Sequence, residues 1–434
     1  RNREHGGAEI MIMGPRDHLN EEGYRIFQEG LKITPPWFVK EVRLNEDRRR
    51  LDIILDFQKG SRFKCPECGC ECTAYDTRIR EWRHLDFFQY ATHIFAPLPR
   101  VECPTCGVRT VEVPWADRRS GFTILFGALA VELSMSMNVS KAAKNLRISD
   151  DTLWRMLRRS AARALEKQDL SNVFAVAVDE TSWRKGHKYV TFVFDYWEKR
   201  LIFATEGRGS DTLALFADHL ERHGGDPMRI REVCCDMSPA YIKGVEESLP
   251  RASVTFDKFH VVKAMNDALD KVRRRESAHC AELKGTRWYW RKNEKDLSAD
   301  QRESLDRACL SGACKQTGKA YRMRILLQRI LDASAGLHPE DARSQLKDWC
   351  HWALVCRIPE VAAVGMMIKR HFEGIVRWFH SRMTNAMVEG YNSVLRAGRA
   401  MARGFRTVGN VILKSFLMAG KLDFDFPRNI WNPV

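Results

Sequence analysis

The sequence has no apolar run that approaches the roughly 20 residues needed to cross a bilayer, which favours a soluble protein. Cysteine is sparse as well: 13 residues are scattered over 434 without a secretory signal, so a disulfide framework is disfavoured and a reducing cytosol is expected. Acidic residues fall short of basic ones, 56 against 71, which gives a net charge of +15. This excess suits a polyanionic partner, although ribosomal and membrane-surface proteins share it.

Segments in the middle of the chain predict a sheet that brings carboxylates together. The apolar run Val173–Val178 is too short and too β-branched for a buried helix, so we expect a central strand followed by Asp179. Another strand ends directly before Asp236. The elements expected after the first strand are strands 188–195 and 200–205, a helix from 210–212 towards His223, a strand 230–235, a helix 239–247 and a strand 252–256.

This order of elements predicts an RNase H-like fold, in which the first and fourth strands lie side by side and place Asp179 beside Asp236. Glu389 lies in a segment, 384–396, that has the core spacing of a helix and can point the carboxylate at the same sheet. Each aspartate alone could be a turn former. Together the three acids predict a site for phosphodiester chemistry with two Mg²⁺ or Mn²⁺ ions about 4 Å apart, because carboxylate oxygens suit hard cations.

Four segments resemble the DDE transposases of bacterial insertion sequences, specifically the ISL-type group with an N-terminal zinc ribbon. They are AVDET at 177–181, CDMS at 235–238, FDKFHVV at 256–262 and TNAMVEGYN at 384–392. The resemblance runs from about Phe63 to about Leu417. It implies that Asp179, Asp236 and Glu389 are the catalytic triad of a DNA transposase.

The resemblance also implies two residues that support the catalytic triad. Asp257 and His260 form an Asp-x-x-His element that these families share, and its implied role is to support the active site rather than to bind metal directly. Without the resemblance, a histidine beside a strand is more often a satisfied structural residue.

The stretch between His260 and Thr384 has little strand character and is expected to be an all-helical insertion, with helices at 261–275, 319–331 and 342–355. Within it, the segment TRWYWRK at 286–292 interleaves aromatic and basic side chains. Two alternatives stay open: a core-facing tryptophan pair, or a platform that stacks on an unpaired base while arginines bind phosphates. By analogy with related transposases, the second makes DNA-binding candidates of Arg287, Trp288, Trp290 and Arg291.

Two Cys-Pro-x-Cys-Gly knuckles predict one structural Zn²⁺ ion, held by four thiolates. The four predicted ligands are Cys65, Cys68, Cys103 and Cys106. Cys70 or Cys72 could replace Cys68, but the pairing of like knuckles favours the first set, and the segment 73–96 between the knuckles alternates like a hairpin of strands. The remaining cysteines are interpreted as buried small hydrophobic residues: Cys234, Cys235, Cys280, Cys309, Cys314, Cys350 and Cys356.

The segment 140–159 predicts a helix, a turn and a second helix that presents Arg155, Arg158 and Arg159 outwards. Such a hairpin can be scaffold alone, but beside a zinc ribbon it favours DNA binding. The basic run 396–406 after Glu389 is either a solvated helix face or a clamp on the DNA backbone, with Arg396, Arg399 and Arg403 as candidates.

Together these features predict a transposase that binds double-stranded DNA, both terminal inverted repeats and target, as a homodimer on paired ends in the bacterial cytoplasm near the nucleoid. The alternatives are a domesticated, catalytically idle DNA-binding regulator and, less favoured, a ribonuclease or junction resolvase. The expected parts are an N-terminal segment 1–60, a zinc ribbon 61–115, a helix-turn-helix domain 116–168, a first core part 169–262, an all-helical insertion 263–380 and a second core part 381–434.

Overall fold

The computed structural model describes residues 21–184, 186–310, 314–332, 338–402 and 404–426. The chain is mixed α/β and forms two compact units. The first contains the described residues up to Arg159 and those from Asp423, and the second spans Ser160–Leu422. Within the described ranges, none of the helices has the length and apolar character to span a membrane.

The first unit is built on a six-stranded sheet with the order β1-β2-β5-β4-β3, in which β6 pairs with β5. The long β4 and β5 form the antiparallel hairpin predicted between the two cysteine knuckles. β2 joins the same sheet by pairing in parallel with β5. The elements are α1 (Glu21–Gly30), β1 (Trp37–Asn45), β2 (Arg50–Phe57), β3 (Arg62–Lys64), β4 (Glu71–Arg83), β5 (Ala91–Cys103) and β6 (Gly107–Thr110).

Three helices follow: α2 (Ile124–Ser136), α3 (Val139–Leu146) and α4 (Asp150–Glu166). The Asn138 side chain caps α3 by accepting the Lys141 N–H, and Ser149 Oγ accepts the Thr152 N–H at the start of α4. Between them Arg147 adopts a left-handed conformation with φ 56°, which turns the chain. The predicted helix-turn-helix is therefore confirmed.

The second unit contains a five-stranded sheet with the order β11-β10-β7-β8-β9. β7, β8 and β9 are antiparallel, whereas β10 is parallel to both β7 and β11, so the predicted adjacency of the first and fourth strands is confirmed. The strands and their connecting helices are β7 (Ala175–Arg184), β8 (Lys188–Asp195), β9 (Arg200–Glu206), α5 (Asp211–Arg222), β10 (Glu232–Cys235), α6 (Pro239–Ser248) and β11 (Ser253–Phe256).

Both faces of this sheet are buried, because alternate residues of β7 belong to two different cores. Val176 and Val178 pack in a large core with residues of α5 and α6. Ala175 and Ala177 face a smaller core that includes Val388 and Phe416, from α13 (Ala386–Met401) and α14 (Val408–Ala419). The side of the strand that a residue occupies therefore decides which helices it meets.

Among the described residues between β11 and α13 there are six α-helices, and the three helices predicted there are confirmed as α7, α9 and α10. Their bounds are α7 (Lys258–Glu276), α8 (Ala299–Leu310), α9 (Lys315–Asp332), α10 (Pro339–Val355), α11 (Pro359–Arg370) and α12 (Phe372–Ser381). Cys280 and Cys314 in this region are joined by a disulfide across 34 residues. Both residues are buried as predicted, but the expectation that the cysteines form no disulfide was wrong for this pair, since sequence spacing does not reveal which cysteines the fold brings together.

Candidate active site, metal centres and DNA-binding residues

Asp179 and Asp236 follow a registered pair of residues on neighbouring parallel strands. Ala177 of β7 is registered with Cys234 of β10; Asp179 lies two residues further along β7, and Asp236 comes directly after β10 ends at Cys235. Ala177 and Cys234 both face the core of α13 and α14, and side chains two residues apart share a face. The two carboxylates therefore point towards the same helices. β7 continues beyond Asp179 to Arg184, paired with β8, so this aspartate lies inside a strand rather than at its end as predicted.

Glu389 approaches this face from the first turn of α13, which packs on the sheet through the fully buried Val388. Burial first, and then the nearby carboxylates of Glu180, Asp236 and Glu389, raise the pKa of Asp179 to about 7. Burial and Asp257 raise the pKa of Glu389, against the opposing effect of Arg396. Asp236 and Glu389 are thus close enough to Asp179 to oppose its ionisation.

The three acids are less tightly grouped than the cysteines of the first unit. Within the described residues, the oxygens of Asp179, Asp236 and Glu389 do not form a set lying entirely within 4.8 Å, whereas four cysteine sulfurs of the first unit do. Binding of one cation by all three carboxylates would therefore require their side chains to move closer together.

Two asparagines anchor α13 to β7 on either side of Glu389. Asn385 donates through Nδ2 to the Val178 carbonyl at 3.2 Å, and Asn392 donates through Nδ2 to Asp179 Oδ2 at 2.7 Å. Positions 385, 389 and 392 share one helix face, which is the signal that sequence reasoning missed. Both asparagines lie in the segment TNAMVEGYN at 384–392, which carries part of the family resemblance.

Asp257 connects this helix to α7. Its Oδ1 accepts the Phe259 N–H at the start of α7, and its Oδ2 accepts the Asn385 N–H at 2.9 Å. The side chain is 2% exposed, so both bonds are shielded from water. His260 is half-buried, with its ring 6.0 Å from that of Phe259. Of the Asp-x-x-His pair, Asp257 therefore has the direct link to α13.

The donor set of this site suits a hard divalent cation. The carboxylates offer oxygen only, and Asn392 Oδ1 is a buried oxygen without a hydrogen-bond partner among the described residues. Unpaired buried oxygens carry a cost that a cation relieves. Mg²⁺ and Mn²⁺ accept such ligands, whereas zinc prefers sulfur and nitrogen.

The four predicted knuckle cysteines gather in the first unit. The Sγ atoms of Cys65, Cys68, Cys103 and Cys106 all lie within 4.8 Å of one another, with 3.4 Å between those of Cys68 and Cys103. The backbone N–H groups of Cys106 and then Thr105 lower the pKa of the Cys103 thiol to about 6. This cluster of four thiols fits a tetrahedral zinc ion. Cys70 and Cys72 are outside it.

The arginines predicted on α4 are exposed. Arg155 donates through Nη2 to Thr152 Oγ1 at 3.0 Å, and the Arg158 guanidinium lies over the Trp154 ring at 5.8 Å. Arg159 also faces solvent. Together they form a cationic surface on the second helix of the helix-turn-helix, the element that enters the major groove in such motifs.

Trp290 does not fit the predicted stacking role. It is 1% exposed, its Nε1 donates to Thr286 Oγ1 at 2.9 Å, and its ring packs edge-on against Tyr321. A base cannot reach a ring enclosed in this way. For Trp290 the core-facing alternative is therefore correct.

Trp288 has the opposite environment, since it is 64% exposed. The Arg287 guanidinium lies 5.2 Å from its ring and also pairs with Asp270 at 3.5 Å, while Arg291 pairs with Asp267 at 3.4 Å. The segment thus offers one accessible aromatic face with basic groups beside it.

The basic run on α13 is partly engaged with the protein itself. Arg399 donates through Nη1 to the Ser182 carbonyl at 2.6 Å, which fixes it against β7. Arg396 is exposed, and its Nε donates to the Asn392 carbonyl one turn earlier. Arg403, the third candidate, lies outside the described residues.

Three family profiles match the chain. One described as a transposase, of the ISL3 DDE type, matches residues 176–415, more than half of the chain. A helix-turn-helix domain of transposase family ISL3 matches residues 111–161. A zinc finger of the transposases of IS204, IS1001, IS1096 and IS1165 matches residues 61–110.

Two curated proteins are similar over nearly their whole length. The transposase for insertion sequence element IS1557 of Mycobacterium tuberculosis is 28% identical over 428 residues, covering 91% of this chain and 95% of its own. The transposase for insertion sequence element IS1001 of Bordetella parapertussis is 26% identical over 400 residues, covering 90% of this chain and 97% of that transposase.

Proposed function

Because the chain belongs to the ISL3 family of DDE transposases, a family of metal-dependent enzymes with a DNA-binding helix-turn-helix, we propose a specific reaction for it. The protein binds the terminal inverted repeats of its insertion sequence and hydrolyses one strand at each end. The freed 3′-hydroxyl then attacks a phosphodiester of target DNA, whose own 3′-oxygen leaves. No covalent bond to the protein forms at any stage.

One observation carries this proposal: Asp179 in β7 and Asp236 directly after β10 each follow the registered pair Ala177 and Cys234 by two residues, on the face where the helix of Glu389 packs. These three residues are the proposed catalytic triad. The strand order β11-β10-β7-β8-β9, with three antiparallel and two parallel strands, supports an RNase H-like core. The helices α7 to α12 supply the proposed all-helical insertion between its two parts.

The three carboxylates would hold two Mg²⁺ or Mn²⁺ ions. Such ions activate an oxygen nucleophile and neutralise the charge on the leaving oxygen. Asp257 holds the start of α13 through Asn385 and so keeps Glu389 facing the sheet. His260 is assigned a supporting role beside Asp257, without direct metal binding.

Binding of the DNA is assigned to several surfaces. In the first unit, one structural zinc ion bound by Cys65, Cys68, Cys103 and Cys106 orders the ribbon, and α4 contacts the terminal repeats. In the second unit, Trp288 stacks on an unpaired base at the element end. The arginines that contact phosphates are Arg155, Arg158, Arg159, Arg287, Arg291, Arg396, Arg399 and Arg403.

Two ends must be processed together, so we assign the active form to a homodimer on paired ends. The proposed domains are an N-terminal segment 1–60, a zinc ribbon 61–115, a helix-turn-helix domain 116–168, a first core part 169–262, an all-helical insertion 263–380 and a second core part 381–434. The ends of the profile matches at 61–110, 111–161 and 176–415 support the boundaries near residues 60, 115 and 168.

An assay with the purified protein and its own element ends tests this function. With Mg²⁺ or Mn²⁺ we expect cleavage at the ends, and a pre-cut end with a free 3′-hydroxyl should join to target DNA. Without divalent ions, binding should persist without cleavage. A protein that bound the ends but never cut them with either ion would instead be a DNA-binding regulator.

A further inference from the structure

Asn392 lies at the centre of the acidic site, although the triad does not include it. It projects from α13 three residues after Glu389, and its Nδ2 is 2.7 Å from Asp179 Oδ2. The side chain is 5% exposed. Such a buried amide beside an ionisable carboxylate has a defined orientation rather than a solvent-averaged one.

The hydrogen bond from Asn392 Nδ2 fixes the second oxygen of the Asp179 carboxylate. Its Oδ1 accepts the Glu180 N–H at 2.8 Å, and its Oδ2 accepts the Asn392 amide. One donor on each oxygen sets the plane of the carboxylate. Each oxygen keeps a second lone pair, since a carboxylate can accept about four hydrogen bonds or ligands.

The other end of the same amide is unsatisfied. Asn392 Oδ1 is buried and has no hydrogen-bond partner within the described part of the chain. Covalent geometry keeps it within about 5 Å of Asp179 Oδ2. A buried carbonyl oxygen beside carboxylates is a ligand type that Mg²⁺ and Mn²⁺ accept.

We propose that Asn392 is a positioning residue for divalent-cation binding: it fixes the Asp179 carboxylate through its Nδ2 and presents its own Oδ1 to the same site. This inference rests on the proposed function of the triad. Asn385 differs from Asn392 because its side-chain amide donates to a backbone carbonyl, that of Val178, and therefore anchors the helix without contacting a carboxylate of the triad.

The test measures cation affinity directly, by electron paramagnetic resonance titration of Mn²⁺ into the zinc-loaded full-length protein. Asn392→Ala should weaken Mn²⁺ binding by about 10–100-fold, the usual cost of losing a residue that orients a ligand. The matched control is Ser393→Ala, since Ser393 is exposed on the same helix and should bind Mn²⁺ like the unaltered protein.

A second readout separates positioning from loss of structure. Cleavage of the element ends by Asn392→Ala should require a correspondingly higher Mn²⁺ concentration and recover in excess Mn²⁺, while end binding without divalent ions stays unchanged. A misfolded variant would lose end binding and would not recover. Asn385→Ala should lower the thermal midpoint, because it removes an anchor of α13, and its Mn²⁺ affinity should change less than that of Asn392→Ala.

The two proposals fail in different ways. If Asn392→Ala binds Mn²⁺ as tightly as the unaltered protein while Asp179→Asn abolishes binding, the inference about Asn392 is wrong and the triad stands. If the unaltered protein binds Mn²⁺ but never cuts its ends, the proposed function is wrong instead.

Discussion

Replacing Asp179 by asparagine should stabilise the protein at alkaline pH when no Mg²⁺ or Mn²⁺ is present. The pKa of Asp179 is raised from 3.8 to about 7, first by burial and then by the carboxylates of Glu180, Asp236 and Glu389. A raised carboxyl pKa means that the folded state binds the proton more tightly than the unfolded state. The free energy of unfolding therefore falls as the pH rises from about 4 to about 7.

The size of the effect follows from the pKa difference. At about 1.4 kcal/mol for each pKa unit, the full difference would correspond to about 4 kcal/mol at pH 8.5. Neighbouring carboxylates share the titration, so we expect on the order of 2 kcal/mol, or about 4–8 °C in thermal midpoint. The neutral asparagine avoids this cost. Rotation of the Asn392 amide would let its Oδ1 accept from the new side chain and keep the contact with β7.

The assay is thermal denaturation of the zinc-loaded protein between pH 5 and 8.5 without added Mg²⁺ or Mn²⁺. The difference in midpoint between Asp179→Asn and the unaltered protein should increase with pH. Asp218→Asn, on the exposed side of α5, removes the same charge from the surface and should show no such trend. A pH-independent difference for Asp179→Asn would refute the view that this carboxylate is buried among like charges.

Three further predictions concern the metal cluster and the DNA-binding surfaces. Cys68→Ser should reduce the zinc content, measured by mass spectrometry, from one ion per chain towards none. Cys70→Ser is the control and should keep one zinc ion per chain. Equal zinc losses in the two variants would place Cys70 in the site. Arg155→Ala should weaken binding of the element ends and reduce the slope of log affinity against log salt by about one, as measured by fluorescence anisotropy. An unchanged slope would mean that Arg155 makes no phosphate contact. Trp290→Ala should destabilise the second unit by about 3–5 kcal/mol in chemical denaturation, because Trp290 is buried. Trp288→Ala should preserve stability and reduce cleavage, because Trp288 is exposed. The reverse pattern would contradict the different exposure of the two rings.

Local sequence patterns were sufficient for most of the sheet that carries the site. The apolar run before Asp179 and the β-branched and aromatic residues of 188–195 predicted β7 and β8 because both signals depend on nearby residues. The extension of β7 to Arg184 depends on pairing with β8, which no single segment encodes. Asp179 therefore lies within a strand although its local context resembles a strand end.

Features that depend on distant contacts were harder to predict. Trp288 and Trp290 belong to the same aromatic and basic segment, yet one is exposed and the other is in the core, because helix α9 covers only Trp290 through Tyr321. The Cys280–Cys314 disulfide depends on helix packing in the same way. Asn392 had a visible signal, its position on the face of Glu389, but its partner lies on a strand over 200 residues earlier.

The central claim is that distant acids form one catalytic centre, and cleavage of the element ends by triad variants tests it most directly. Asp236→Asn, with Asp179→Asn and Glu389→Gln in parallel, should each abolish Mg²⁺-dependent cleavage while the ends remain bound in a gel-shift assay. If each of the three single variants still cleaved the ends, the assignment of the catalytic triad would be wrong and the chemistry would lie elsewhere in the chain.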